Sequence, residues 1–304
     1  MNSTPVRFVD GLHLGRPHVI GTAVIGDGPI ALVDCGPESV FNETVAALRR
    51  DGLRPEDVTH VFATHIHFDH AGAAWRWATD YGATVCVHPL GAPHLANPER
   101  LLASATKIFG AEMDRLWGEM RAVPADRLRI VNDGEEIAAS GTRFRALDTP
   151  GHAQHHHAWW LAAERTLFAG DVMGVTINGG PCLPPCPPPD INIEQWLQSL
   201  QKLMALRPAR VFVTHFGELD DPVKRLNELV ERLLDWAEWI AEELKIGMPE
   251  EKIVPLFEQR VRAELKAAGL SDDALDTYEQ ADPAAMSVSG LARYWRKFRP
   301  EALQ

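Results

Sequence analysis

The sequence predicts an α/β fold, and three observations predict it. Strand-like and helix-like stretches alternate as far as residue 88, a run of short strands separated by turns follows, and the pattern from Pro222 to the end is helical. Residues 18–25 are rich in β-branched side chains, Gly26-Asp27-Gly28-Pro29 punctuates, and Ile30-Ala31-Leu32-Val33-Asp34 runs apolar before Cys35-Gly36-Pro37. Two strands around a turn are expected there. Ser39 resembles a helix N-cap, with Val40, Thr44, Ala47 and Leu48 spaced for one helical face. Residues 58–63 read as a buried strand ending at Thr64-His65, followed by a helix through 71–80 and a strand over 83–88.

Between residues 98 and 121, Leu101, Leu102, Ile108 and Met113 have helical spacing, which suggests an inserted helical pair. Short strands over 128–131, 136–137, 142–148, 158–161 and 166–169 point to a second, more antiparallel sheet. Residues 177–190 are thick with Gly and Pro and cannot be regular structure, so the Pro181–Pro189 stretch is either a pocket wall or an irregular connection. Trp196, Leu200, Leu203 and Met204 mark a helix over 193–206, and Val211-Phe212-Val213 is a strand ending at Thr214-His215. In the tail, Val223, Leu226, Leu229, Val230, Leu233 and Ala237 form an apolar stripe broken at Gly247-Met248-Pro249, with further helices over 251–268 and 287–298. The expected division is a catalytic domain over 1–221 and a helical subdomain over 222–304, the latter a plausible homodimer surface.

The chain has 304 residues, enough to bury a core without disulfides or a structural metal. Its formal charge of −12 lowers the expectation of a nucleic-acid binder, whose affinity comes largely from Lys and Arg against phosphates. A small-molecule substrate fits better. The four cysteines, Cys35, Cys86, Cys182 and Cys186, show no disulfide-framework spacing, which suggests a reducing compartment. The first residues carry no signal-peptide pattern, and no apolar run approaches the roughly 20 residues of a membrane span. A soluble, cytoplasmic protein is expected.

The strongest signal is Thr64-His65-Ile66-His67-Phe68-Asp69-His70, three histidines and a carboxylate directly after a buried strand. At a strand end the backbone is free to turn, so successive side chains can converge on one point. Imidazole and carboxylate suit zinc and similar divalent ions, and a buried cluster of this density without metal leaves polar groups unpaired. His152 in Thr149-Pro150-Gly151-His152, Asp171 in Ala169-Gly170-Asp171 and His215 in Val213-Thr214-His215 also stand at strand ends. Each alone is weak; the repeated arrangement is the evidence.

The order His-x-His-x-Asp-His, Gly-His, Gly-Asp and a late His resembles the metallo-β-lactamase superfamily over roughly residues 15–220. The resemblance implies a four-layer αββα sandwich with the site at one edge. It also implies two divalent ions, zinc first with iron or manganese possible: His65, His67 and His152 on one, Asp69, His70 and His215 on the other, Asp171 bridging. Asp34 matches the family's buried aspartate, which orients the histidine-rich loop from outside the ligand set. Asp69 and Asp171 make the site oxygen-rich, similar to the glyoxalase II (hydroxyacylglutathione hydrolase) branch more than to zinc β-lactamases, where a cysteine is a ligand. Two cations lower the pKa of a bound water, supplying a bridging hydroxide without a Ser or Cys nucleophile.

His155, His156 and His157 enter a strand, and alternating faces keep them from sharing one ion. His88 and His94 read as structural or exposed, with His94 in reach of the cleft, and Trp75 and Trp77 as core. The resemblance thus implies hydrolysis of a small ester or thioester. Alternatives within the superfamily are a single-strand endoribonuclease or other phosphodiesterase, to which the basic cluster Arg293, Arg296, Lys297 and Arg299 is relevant, and less readily a lactonase or β-lactamase.

Overall fold

The computed structural model describes residues 4–304. A first six-stranded sheet holds β1 (Val6–Asp10), β2 (Gly21–Ile25), β3 (Ile30–Val33), β4 (Val58–Phe62), β5 (Thr84–Val87) and β6 (Leu128–Ile130) in that spatial order. Its first three strands are antiparallel and the rest parallel. A second six-stranded sheet holds β7 (Glu136–Ala139), β8 (Thr142–Asp148), β9 (His157–Leu161), β10 (Thr166–Phe168), β11 (Arg210–Val213) and β12 (Gly217–Glu218). It is antiparallel except for the β10–β11 pair.

Alternation along the strands separates the layers. Ala31, Val33 and Phe62 point inward to meet Phe144, Trp159 and Phe212 of the second sheet, with the Phe62 and Phe144 rings 4.1 Å apart. Leu32, Val61 and Val85 point outward onto α1 (Phe41–Arg50), α2 (Phe68–Ala71) and α3 (Ala74–Asp80). Burial on both faces explains the unbroken apolar run of β3. On the far side, Leu147, Leu167 and Val211 share a core with α7 (Ile193–Ala205) and the tail through Trp196, Leu229, Trp236 and Leu291. The result is the αββα sandwich.

The intervening helices are α4 (Ala92–Ala96), α5 (Glu99–Phe109) and α6 (Met113–Trp117), after which α7 (Ile193–Ala205) covers the second sheet. The tail comprises α8 (Pro222–Lys245), α9 (Glu250–Ala267), α10 (Asp272–Ala281) and α11 (Ala284–Phe298). The structure differs from the sequence reading in several details. β1, β12, α4 and α10 were not expected, and β2 starts at Gly21, after His18 in the left-handed region at φ 64°. The helix expected over 71–80 is split: the Ala73 N–H bonds to Gly36 O at 2.9 Å, which ties the break to the β3 loop. Among the described residues, no helix is long and apolar enough to cross a membrane.

Candidate metal centre

Every predicted ligand stands just past a strand, Asp69 and His70 on the short helix α2 and Asp171 on a single 3-10 turn. The 65–70 cluster follows β4, His152 follows β8, Asp171 follows β10 and His215 follows β11, while Asp34 follows β3. Buried strands fix these loop roots, so the side chains inherit the rigidity of the sandwich. Gly151 is required where it stands, because a Cβ there would lie 2.3 Å from Trp196 Cα.

All seven residues converge, in two overlapping groups. Ligand-type atoms of His65, His67 and His152 lie within 4.8 Å of one another, as do those of Asp69, His70 and His215. Asp171 stands between them. Its Oδ2 is 3.5 Å from His152 Nε2, and its Oδ1 is 3.3 Å from His70 Nε2 and 3.8 Å from His215 Nε2.

The surroundings fix which ring nitrogen faces inward. His152 Nδ1 donates to Pro185 O at 2.9 Å, and His215 Nδ1 donates to Val19 O at 2.6 Å. His70 Nδ1 donates to Asp34 Oδ2 at 2.8 Å, and His65 Nδ1 to Thr64 Oγ1 at 3.1 Å. Each Nε2 is therefore left with a lone pair aimed at the centre. Asp34 also accepts from Thr64 N at 2.8 Å and from Thr214 Oγ1 at 2.7 Å, tying the two sheets together beneath the site.

This arrangement fits a cation. His65 Nε2 lies 2.9 Å and His152 Nε2 3.2 Å from the same His67 Nδ1, so one proton at most can serve three converging nitrogens. His70 Nε2 and Asp171 Oδ1 are buried without a hydrogen-bond partner among the described residues. Such orphaned atoms are costly unless something positive sits between them. The electrostatics agree. Burial opposes charge on His70, yet Asp171, Asp69 and Asp34 outweigh it and raise its pKa. Burial would likewise raise Asp69 and Asp171, but His70 and His215 hold both carboxyls well below the usual range. Burial and the neighbouring His152 push His67 down to about 3, leaving it neutral. A field that draws positive charge to the second group, beside neutral imidazoles in the first, is that of a divalent-ion site.

A cavity of about 360 Å³ opens over the ligands. Its walls include Phe68, Leu101, Phe109, Trp117, Met286 and the 185–189 proline segment, so the Gly/Pro loop is a pocket wall. His94 and His155 also line it. His156 instead pairs with Thr149 Oγ1 at 2.7 Å and His157 with Asp148 Oδ1 at 2.6 Å; only His157 belongs to β9, so His155 and His156 are turned apart by the loop before the strand. His88, Asp148 and His157 form a further His/Asp group. There Leu90 N donates to His88 Nδ1 at 3.0 Å, which puts the ring proton on Nε2, toward Asp148, and leaves no lone pair for an ion. Cys182 and Cys186 are buried, unpaired loop packing. Sequence reasoning missed His13, Arg100, Gln280 and Asp282 in the cavity wall. None sits in a motif, and two come from the end of α10 and the turn after it, which only the fold brings near.

An αββα sandwich with histidines and carboxylates gathered at the strand ends of one edge defines a metal-site protein. The metallo-beta-lactamase superfamily matches residues 19–215, and the chain belongs to it. It is 30% identical over 165 residues to a metallo-beta-lactamase fold-containing protein of Sulfurisphaera tokodaii, covering 53% of this chain and 62% of that one. It is 28% identical over 210 residues to a hydroxyacylglutathione hydrolase of Rhodospirillum rubrum, covering 66% of each. The chain thus spans less than two thirds of the length of either relative. A metallo-beta-lactamase family protein of Thermus thermophilus has the same fold, with a TM-score of 0.64 at 22% identity over 97% of this chain and 93% of that one.

Proposed function

We propose that the chain is a binuclear metal-dependent hydrolase of a small ester or thioester. His65, His67 and His152 would hold one ion, Asp69, His70 and His215 the second, and Asp171 both. Asp171 carries this reading: its two oxygens face different histidine groups, so one carboxylate serves two sites. When bound, divalent ions here lower the pKa of a water towards neutrality and polarise a carbonyl oxygen. The protein's part is orientation. Asp34, Thr64, Pro185 O and Val19 O hold the rings with their lone pairs inward. Asp69, kept ionised against burial by His70 and His215, lines the cavity beside the second group. The apolar walls exclude water from the reacting end.

Zinc suits the donor set, with iron or manganese as alternatives. Membership of the ester and thioester branch is supported by the hydroxyacylglutathione hydrolase relative and by the lack of a cysteine among the gathered ligands. Four unpaired cysteines support a cytoplasmic location. The terminal basic cluster gives a nuclease little support: Arg296 pairs with Glu250, Arg299 with Glu194, and Arg293 donates to Pro189 O at 3.1 Å. The test is elemental analysis of protein purified without added metal, then assays on thioesters, lactones, phosphodiesters and β-lactams. Two equivalents of metal with thioester cleavage are expected. A single equivalent, or preference for a phosphodiester, would replace the proposal.

A further inference from the structure

Among the polar side chains lining the cavity, His13 has no part in the ligand set and the least explanation as packing. It is 2% exposed, lines the cavity, and its Nδ1 is buried without a partner among the described residues. Its ring stacks on Trp117 at a centroid distance of 5.6 Å and a tilt of 12°. Buried unpaired donors are rarer than buried unpaired acceptors, so the enclosed Nδ1 is best left as the lone pair, which puts the proton on Nε2. Nε2 makes no hydrogen bond among the described residues and is not enclosed, so it is the nitrogen left to the cavity. Burial holds the imidazole down at about 4, opposed by the charge of Asp69 and aided by His215.

The backbone around His13 is held with unusual care for a connecting loop. Leu12 and Leu14 both occupy the left-handed region, at φ 49° and 54°, which costs non-glycine residues energy and persists only where surroundings enforce it. Asp10 enforces it from one side, accepting from Leu12 N at 2.9 Å and His18 N at 2.8 Å. Gln280, from α10 in the tail, enforces it from the other, its Nε2 donating to His13 O at 2.8 Å. Strain spent on aiming one imidazole into the cavity needs a use.

We infer that His13 is a substrate-binding residue, a neutral imidazole donating a hydrogen bond from Nε2 to a polar atom of the molecule held in the cavity. The inference rests on the reading that this cavity is the substrate site. Its substrate is a carboxylic-acid derivative with an apolar part, because Phe68, Leu101, Phe109, Trp117 and Met286 line the cavity beside the polar His13, Arg100, Ser104 and Gln280.

The test uses the full chain loaded with zinc, the N-acetylcysteamine thioester of hexanoic acid as substrate and hexanoate as a calorimetric ligand. His13→Phe keeps the stack on Trp117 and removes the donor; His13→Gln restores an N–H near the Nε2 position. With zinc content and circular dichroism unchanged, kcat/KM in His13→Phe should fall about tenfold, mostly through KM, and hexanoate should bind correspondingly more weakly. His13→Gln should recover most of both. Full activity and full hexanoate affinity in His13→Phe would overturn the inference, as would an equal loss in the Gln variant. If wild type binds hexanoate and cleaves no thioester, the hydrolase reading fails while the binding series still decides His13. If wild type does neither, the cavity is not such a site and His13 loses its role.

Discussion

Two sets of acids lie at one cavity or against its wall, and they are held in opposite states. At the strand ends, Asp69 and Asp171 lie among histidines that keep their carboxyls ionised despite burial. At the end of α10 and the turn after it, Glu279 and Asp282 meet no comparable cation, and burial pushes both carboxyls up, Glu279 to about 7. One set is built to hold positive charge, the other to avoid charge. The sandwich thus supplies the chemistry and the tail supplies the enclosure.

The largest test of this contrast is Asp171→Ala. Because Asp171 alone faces both histidine groups, its loss should empty both sites and lower activity by about a thousandfold or more, with circular dichroism unchanged. His67→Ala touches only the first group and should retain about one metal equivalent by elemental analysis, though turnover should also be lost. Equal metal loss in the two variants would mean that the ligands act as one cooperative unit.

Asp34→Asn should come next. All four groups on its carboxylate are donors: Thr64 N, Thr64 Oγ1, His70 Nδ1 and Thr214 Oγ1. An amide must turn an N–H toward at least one of them. Metal affinity should fall about 10–100-fold, as for other partners that orient a ligand from outside, and stability by roughly 1–3 kcal/mol. Competition with a chelator measures the first and denaturant melts the second.

How legible the site was from sequence follows the same division. His65 to His70 are contiguous because one loop leaving β4 feeds both groups, so a local pattern reports them. His152, Asp171 and His215 come one from each strand end, and only the repetition of Gly-His, Gly-Asp and Thr-His after apolar strands reports them. The two sheets were readable because two-sided burial writes continuous apolar runs and short alternating strands. β1 was not, since Val6–Asp10 is a half-exposed edge strand of five residues with no strong alternation. The wall residues Gln280 and Asp282 were beyond reach for a different reason. Their place is set by how the tail packs on the second sheet through Trp236 and Leu291, a tertiary fact with no local trace.

If the tail only encloses, changes to it should alter substrate affinity and leave the metals alone. Met286, half-buried in the cavity wall at the start of α11, is the direct probe. Met286→Ala should raise KM by about three- to tenfold, the value of lost apolar contact, with kcat and metal content unchanged. A drop in bound metal would show that the tail supports the ligands and would erase the contrast.

The smallest effect expected lies at Glu279, and it tests the other half of the contrast, the avoidance of charge. Its carboxyl accepts from Ala284 N at 3.1 Å at the start of α11, and burial raises it from an ordinary 4.5 to about 7. The folded protein therefore binds more protons than the unfolded chain between these values, so stability falls as pH rises through that window. Asp282 is raised as well and acts in the same direction. Glu279→Gln keeps an acceptor for Ala284 N and removes the titration. The loss of melting temperature between pH 5 and pH 8 should shrink by on the order of 1–2 °C in the variant, without vanishing. An unchanged pH slope would mean that water reaches Glu279 in solution, and that the tail's acids are not held apart from charge as the strand-end acids are held to it.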